Sequence, residues 1–270
     1  MKVVFIGSGN VATHLSAAMQ KAGYTIEQVY SRNGTNARIL ADRLHCDRTA
    51  KTGEIISTAD LYVFAVKDDA LPDLVAQIPV SNGLRIHTAG SVPMDVFKGC
   101  AAHYGVLYPL QTFSKNRDTD FRRVPCLIEA HLPEDEVRLY EIAGRLSDNV
   151  QTLSSEKRKR VHLAAVFACN FTNHMYALAG RLVREQGLPA DILLPLIDET
   201  AAKIHALSPS GAQTGPAVRG DRQVLDRHLA LLSGDPAMRE VYQLISNHIY
   251  KETNDEQHSI RPAQNPGLSV

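Results

Sequence analysis

The sequence predicts an α/β fold: a doubly wound, mostly parallel sheet followed by an all-α C-terminal domain. Three observations carry this. Short apolar runs rich in β-branched and aromatic residues alternate with helix-patterned segments through residue 153, as buried parallel strands joined by crossover helices do. The first run, Val3–Ile6, passes straight into a helix through a glycine-rich turn. From Ser154 onward only long helical patterns remain. The expected division is therefore 1–153, the sheet domain; 154–254, a helical domain; and 255–270, a polar tail.

In the opening stretch KVVFIGSGNVATHL, Gly7, Gly9 and Ala12 stand at G-x-G-x-x-A spacing. The first glycine permits the tight turn, the second lets a pyrophosphate approach the backbone, and the small third residue lets helix and strand pack closely. Free N–H groups at the start of that helix attract phosphate, so Gly7, Ser8, Gly9, Asn10 and Val11 are cofactor-binding candidates in a Rossmann-type turn. The helix should run from Asn10 to Ala22 and end at Gly23. The second strand should end near Tyr30, where a site selective for NAD presents a carboxylate to the ribose. Here Ser31 and Arg32 follow, a hydroxyl and a guanidinium suited to a 2′-phosphate, so the expected cofactor is NADP(H).

A helix over Gly34–Leu44 and a short strand within Cys46–Ala50 come next, then a buried strand, Leu61–Val66. The backbone of Ala65, Val66 and Lys67 would lie at the carboxyl edge of the sheet, where ligands bind in such folds. Asp68 and Asp69 precede a helix with Pro72 in its first turn and read as N-cap residues. Strand Leu84–His87 ends in Thr88, Ala89, Gly90 and Ser91. The small groups of Thr88–Gly90 leave room for a nicotinamide and Ser91 can reach substrate; the plainer reading makes Gly90 an αL turn. A strand to Tyr108 is expected to leave the sheet at Pro109, offering Gln111 and Thr112 as substrate-binding loop groups. Strand Val124–Ala130, helix Glu134–Leu146 and strand Val150–Leu153 complete the sheet.

The helical half opens on Ser154 or Ser155 as cap, and Lys157–Arg160 reads as a solvated first turn. Apolar residues lie all round Val161–Thr172, so this helix should be buried on most sides. At 100° per residue His162, Val166, Cys169 and Asn173 share one face, with Asn170 beside it. His162, Asn170 and Asn173 are the catalytic candidates, because buried polar groups need partners and a ligand can supply them; bonding within the core is the equal alternative. Ala164, Ala165 and Ala168 suit close packing with another helix, including one from a second subunit. A helix over Ala190–Leu207 is followed by residues 208–221, whose three glycines and two prolines exclude regular structure across the stretch. Within it Thr214 and Arg219 are substrate-binding candidates, Asp221 can cap the next helix, and Arg219 can hold Asp221. Helices near 222–232 and 236–253 end the domain.

Composition narrows the function. In 270 residues Lys+Arg and Asp+Glu are both 29, which argues against a nucleic-acid partner. No apolar run is long enough for a signal core or a membrane span, so a cytoplasmic protein is expected. Cys46, Cys100, Cys126 and Cys169 are scattered, with neither disulfide nor metal spacing.

The segments GSGNVATHL, HTAGS, YPLQTFS, HLAAVFACNFTNHM and above all TGPAVRGD resemble a bacterial family with a Rossmann-like N-terminal domain and an uncharacterised helical C-terminal domain. That family is similar to pyrroline-5-carboxylate reductases, deazaflavin-dependent NADP oxidoreductases and β-hydroxyacid dehydrogenases. The resemblance implies a substrate between the domains and a homodimer formed through helices. Where family members commonly carry His before Pro-Leu-Gln-Thr, this chain carries Tyr108, so no histidine role transfers there. The lysine and asparagine of β-hydroxyacid dehydrogenases, one turn apart on the first long helix, have no equivalent: four residues before Asn170 and Asn173 stand Val166 and Cys169. The expected activity is hydride transfer between NADP(H) and a small carbonyl or imine, with His162 as the acid and Asn170 and Asn173 orienting substrate. The alternative is a non-catalytic NADP(H)-binding sensor or assembly protein.

Overall fold

The structure, a computed structural model, describes residues 1–78 and 82–259, the side chains of 255–259 apart. By contacts the chain divides into two compact units, Met1–Thr172 and Asn173–Val270. The change from mixed to purely helical texture does fall near residue 153, but the first helix after it groups with the sheet. An ion pair and a backbone contact made by Arg158, described below, fasten it there.

The first unit is built on eight strands: β1 (Lys2–Ile6), β2 (Thr25–Tyr30), β3 (Asp47–Thr49), β4 (Leu61–Phe64), β5 (Leu84–His87), β6 (Tyr104–Pro109), β7 (Cys126–Ala130) and β8 (Val150–Thr152). Their order is β3-β2-β1-β4-β5-β6-β7-β8. All neighbours are parallel except β6 and β7, which pair antiparallel from Gly105↔Ala130 to Pro109↔Cys126. Helices α1 (Asn10–Lys21), α2 (Gly34–Leu44), α3 (Leu71–Gln77) and α4 (Pro133–Leu146) cross between strands. Alternation within β1 explains why both faces must be covered: Val3 and Phe5 join the cluster holding Leu15, Met19 and Leu139, whereas Val4 and Ile6 join Phe64, Leu71 and Phe97.

Several local expectations change. The Asp68–Ala70 turn and α3 have no side-chain caps; Asp68 instead accepts a hydrogen bond from Ser91 Oγ. Strand β6 keeps Pro109, because a missing N–H costs little at the last ladder position. After β8, α5 (Ser155–Ala165) begins with Ser154 Oγ accepting from the Lys157 N–H. Its basic turn is not simply solvated: Arg158 is fully buried. The helix then widens into a π-helical segment, Val166–Phe171, before continuing as α6 (Thr172–Glu185). It is also not buried on most sides, since Leu163, Phe167 and Phe171 are 57%, 62% and 49% exposed. Its circumference is covered only in part: Arg158 is buried and Val161, His162, Ala165, Val166 and Cys169 are half-buried.

In the second unit α6 is followed by α7 (Leu194–Lys203), α8 (Pro209–Ala212), α9 (Pro216–Arg219), α10 (Arg222–Leu231) and α11 (Pro236–Ser259). The stretch 208–221 thus holds two short helical turns, each started by a proline at a position that needs no N–H. Asp221 caps α10 through the Val224 N–H. Arg219 forms no ion pair with it, being exposed at the end of α9. Helix α11 runs on to Ser259 where a tail was expected, for no glycine or proline interrupts 237–261; the rest of that tail, 260–270, lies outside the described residues. No helix among the described residues is long and apolar enough to cross a membrane.

His87 closes β5 without solvent contact, stacked on Phe97 at 5.8 Å between ring centres. Burial first, and the Arg158 charge second, push its pKa down to about 3, with the Pro93 carbonyl acting weakly the other way. Below pH 6.5 the unfolded chain therefore takes up a proton that the native state refuses, and stability falls as the pH drops from there toward 3. This group contributes a slope of up to about 1.4 kcal/mol per pH unit. Urea unfolding of His87→Gln between pH 6 and 4.5 should have a flatter pH slope by about that amount; an unchanged slope would remove His87 from the acid sensitivity.

Candidate functional site

The carboxyl edge of the parallel strands gathers most of the residues singled out above. The turn from β1 to α1 comes first. Gly7 has φ +120°, and a Cβ placed on it would lie 2.1 Å from the Ala65 carbonyl oxygen. No side chain fits there, so the chain passes β4 at backbone contact, with the Gly7 N–H donating to Tyr30 O at 2.8 Å. Gly9 differs: its imagined Cβ meets nothing within 4 Å. It is the N-cap of α1 and offers no side-chain cap, which leaves first-turn N–H groups facing an open space beside the β1/β4 switch point. Ser8 is buried next to it. Asn10 donates through Nδ2 to Phe113 O at 2.7 Å, and His14 is hydrogen-bonded to Ser114 O at 2.9 Å while stacking on Phe113.

Neighbouring strand ends supply the rest of the edge. After β2, the Ser31 N–H donates to Thr49 O at 3.1 Å, and exposed Arg32 makes no ion pair among the described residues. Asn33 caps α2 by accepting from the Thr35 and Asn36 N–H groups. Ala65 continues β4 with its N–H on Ile6 O, and the chain turns outward through Val66 and exposed Lys67. After β5, the Thr88 N–H donates to Phe64 O at 3.2 Å and the Ala89 N–H to His87 Nδ1 at 3.1 Å. Gly90 is not an αL position, since its φ is not positive. Its small size is needed for packing: a Cβ there would lie 2.6 Å from His162 Nδ1.

A cavity of about 570 Å³ opens between the start of α1, the end of β6 with its loop, and the α5 helix. Asn10, Val11, Gln111, Thr112, His162 and Asn170 all line it, as do Tyr108 and Phe113. Tyr108 Oη and His162 Nδ1 are hydrogen-bonded at 3.0 Å, their rings edge to face. Burial chiefly, and then Asp68, raise the Tyr108 pKa, while Arg158 opposes them, so the phenol keeps its proton at neutral pH. The helix face differs from that expected: Ala165, Ala168 and Cys169 line the cavity, and Val166 does not. The π-helical turn resets the 100° spacing on which the expected face rested. Asn173, Thr214 and Arg219 belong to the second unit. There Asn173 is exposed, and Thr214 lines a mostly apolar cavity of about 350 Å³ with Met175, Tyr242 and Ile245. Among the described residues no cluster of His, Cys, Asp or Glu is suited to a metal ion.

Three groups at this edge lie outside what the sequence pattern marks. Tyr108 enters the resemblance only as the residue in place of histidine, although the end of a strand at this edge is a natural site position. Arg158 was hidden in a basic run, and His14 carried no motif at all.

Comparisons with known proteins show the family of the chain. Residues 2–87 match the family described as NADP oxidoreductase, coenzyme F420-dependent, and residues 124–249 match a domain of unknown function, DUF2520. A Bacteroides fragilis protein provisionally named an NADP oxidoreductase is 49% identical, with 93% of this chain and 98% of that one covered and a TM-score of 0.89. A reductive aminase from Aspergillus terreus, solved with NADPH4, cyclohexanone and allyl amine, shares the fold at 16% identity, with a TM-score of 0.70 over 94% of each chain. So does an imine reductase from Myxococcus stipitatus in complex with NADP+, at 14% identity and a TM-score of 0.63 over 96% of this chain and 95% of that one. Comparison with curated proteins returns no match.

The two turn glycines should separate under mutation. Gly7→Ala should cost at least about 2 kcal/mol, since backbone must move, whereas Gly9→Ala should stay within about 1 kcal/mol, the scale of a changed cap. Thermal unfolding of both variants checks this, and equal losses would contradict the assignment of Gly9 to an open ligand space.

Proposed function

From the premise that this chain belongs to the family of NADP oxidoreductases that carry a DUF2520 domain, we propose that it transfers hydride between NADP(H) and the carbon of a small carbonyl or imine held against the Tyr108–His162 pair. NADP(H) is the family's cofactor, and the edge fits it: Gly9 leaves open space at a helix N-terminus, Gly7–Val11 can cradle the pyrophosphate, and Ser31 with exposed Arg32 can take the 2′-phosphate. Bound there, it supplies or accepts the hydride. Thr88, Ala89 and Gly90, buried at the end of β5, stay assigned to the nicotinamide on the sequence alone, as Ala65–Lys67 at the end of β4 stay assigned to the cofactor.

The observation that carries the reading is the hydrogen bond between Tyr108 and His162 at the wall of a cavity that also holds Asn170, Gln111 and Thr112. A carbonyl or imine gains a proton when reduced, and Tyr108 keeps one available at neutral pH. In this scheme His162 donates from Nδ1 to Tyr108 Oη, so that the phenolic proton faces the substrate and the imidazole N–H stabilises the phenolate left when that proton is transferred. Amide and hydroxyl groups of Asn170, Gln111 and Thr112 orient the substrate, with Ser91 close to the turn. Asn173, Thr214 and Arg219 stay assigned to the substrate on the sequence alone. The exposed Leu163, Phe167 and Phe171 support a homodimer through helices, because a contiguous apolar stripe of this kind marks an interaction face.

At a hundredfold excess over its dissociation constant NADPH should stabilise the protein by about 2.7 kcal/mol, raising the thermal midpoint by several degrees. NADH should do so far less, and Arg32→Glu should erase the difference. No shift with either nucleotide would sink the oxidoreductase reading. Tyr108→Phe and His162→Gln should each lower turnover by about a hundredfold or more on a panel of ketones and cyclic imines while keeping the NADPH shift. Loss of the shift in both would make the pair structural, and a shift without turnover of any panel member would favour the sensor reading.

A further inference from the structure

Arg158 does not line the cavity, yet it is fully buried and its contacts join β7, the loop after Gly90 and the first turn of its own helix. Its Nη1 pairs with Glu129 of β7, its Nη2 donates to Val92 O at 2.7 Å, and the same nitrogen donates to Ser155 Oγ at 3.2 Å. Ser155 completes the knot. Its N–H and Oγ donate to the Glu129 carboxylate at 2.8 and 2.7 Å, and its Oγ accepts from the Met94 N–H at 3.0 Å. One ion pair thus locks the first turn of α5 to the sheet and to the loop that follows Gly90.

The spacing above this knot matters. Glu129 pairs with Val106 across the β6–β7 ladder, and Tyr108 is two strand residues further along β6, about 6.8 Å. His162 is four helix residues beyond Arg158, about 6 Å. Helix and strand therefore rise together, so that a lower rung, Arg158–Glu129, sets the height of an upper rung, His162–Tyr108. Gly90 and Val92, two residues apart, receive the imidazole and the guanidinium of these same two rungs.

We propose that the Arg158–Glu129 pair is a positioning device that places His162 against Gly90 and Tyr108, and through it aligns the proton-donating pair. The catalytic consequence rests on the function proposed above; the placement of His162 does not. Removal of one charge alone strands the other in a buried site, so the test uses the double variant Glu129→Gln/Arg158→Met, with Arg158→Lys as the conservative change that keeps the charge but cannot span all three partners. Nitrogen-15 spectra of the imidazoles, with His162 assigned through His162→Gln, report its tautomer directly.

In the wild-type protein His162 should hold one fixed tautomer. In the double variant it should average between the two, with Arg158→Lys in between, while the midpoint shift given by NADPH is kept. Turnover with 2-methyl-1-pyrroline and NADPH should fall by about a hundredfold in the double variant, the scale of a 1 Å misplacement. A single tautomer retained in both variants would overturn the proposal. An averaged tautomer in the double variant would uphold the placement even if the wild-type protein turned over no imine or carbonyl, the outcome that would fail the functional reading instead.

Discussion

The approach of Gly7 to the Ala65 carbonyl is the constraint on which the rest of the molecule depends. A single Cβ would put a carbon 2.1 Å from that oxygen, so any other residue would force β1 and β4 apart at the switch point of the sheet. Because they stay together, β1 delivers α1 with its N-terminus at the crevice, and Asn10 and His14 can reach over to Phe113 and Ser114. The loop after β6 is thereby held at the same edge as the glycine turn. The glycine turn and the cavity become neighbours through one backbone contact.

A second constraint acts on the other wall. Arg158 and Glu129 are 1% and 16% exposed in their side chains, and taking one away typically costs 3–5 kcal/mol because the survivor is left charged and unpaired. An apolar pair of similar volume could be as stable. What it could not do is grip Val92, Ser155 and β7 at once, so the pair is better understood through geometry than through stability. The same charge also helps to keep His87 neutral.

Much of this was legible in the sequence, for reasons that differ by residue. The strand–glycine–helix opening, the buried strands and the caps at Ser154 and Asp221 are local: their signals lie within a few residues and the structure bears them out. Gln111, Thr112 and His162 could be singled out as polar groups in revealing places, but their meeting in one cavity is a product of topology. Asp68 looked like a cap because capping is what a short acidic side chain does before a helix, until a distant serine competed for it. Gly90 looked like a turn glycine, yet the reason for it stands 72 residues away at His162. The π-helical turn had no sequence mark, since neither glycine nor proline announces it. Arg158 was masked by its basic neighbours, whose solvated side chains hide which of the four points inward.

The reversal of β7 carries a consequence for how the chain reaches this state. Parallel strands are brought to register by the helices between them, but β6 and β7 form an antiparallel pair joined by a long excursion. A slip of one residue there would turn Glu129 to the opposite face of the sheet. Arg158 would then dock without a counter-charge, an error too costly to persist. Pairing at this edge is in that sense proofread: the ion pair forms only with Glu129 on the face that α5 covers, so it rejects a slip of one residue between the two strands.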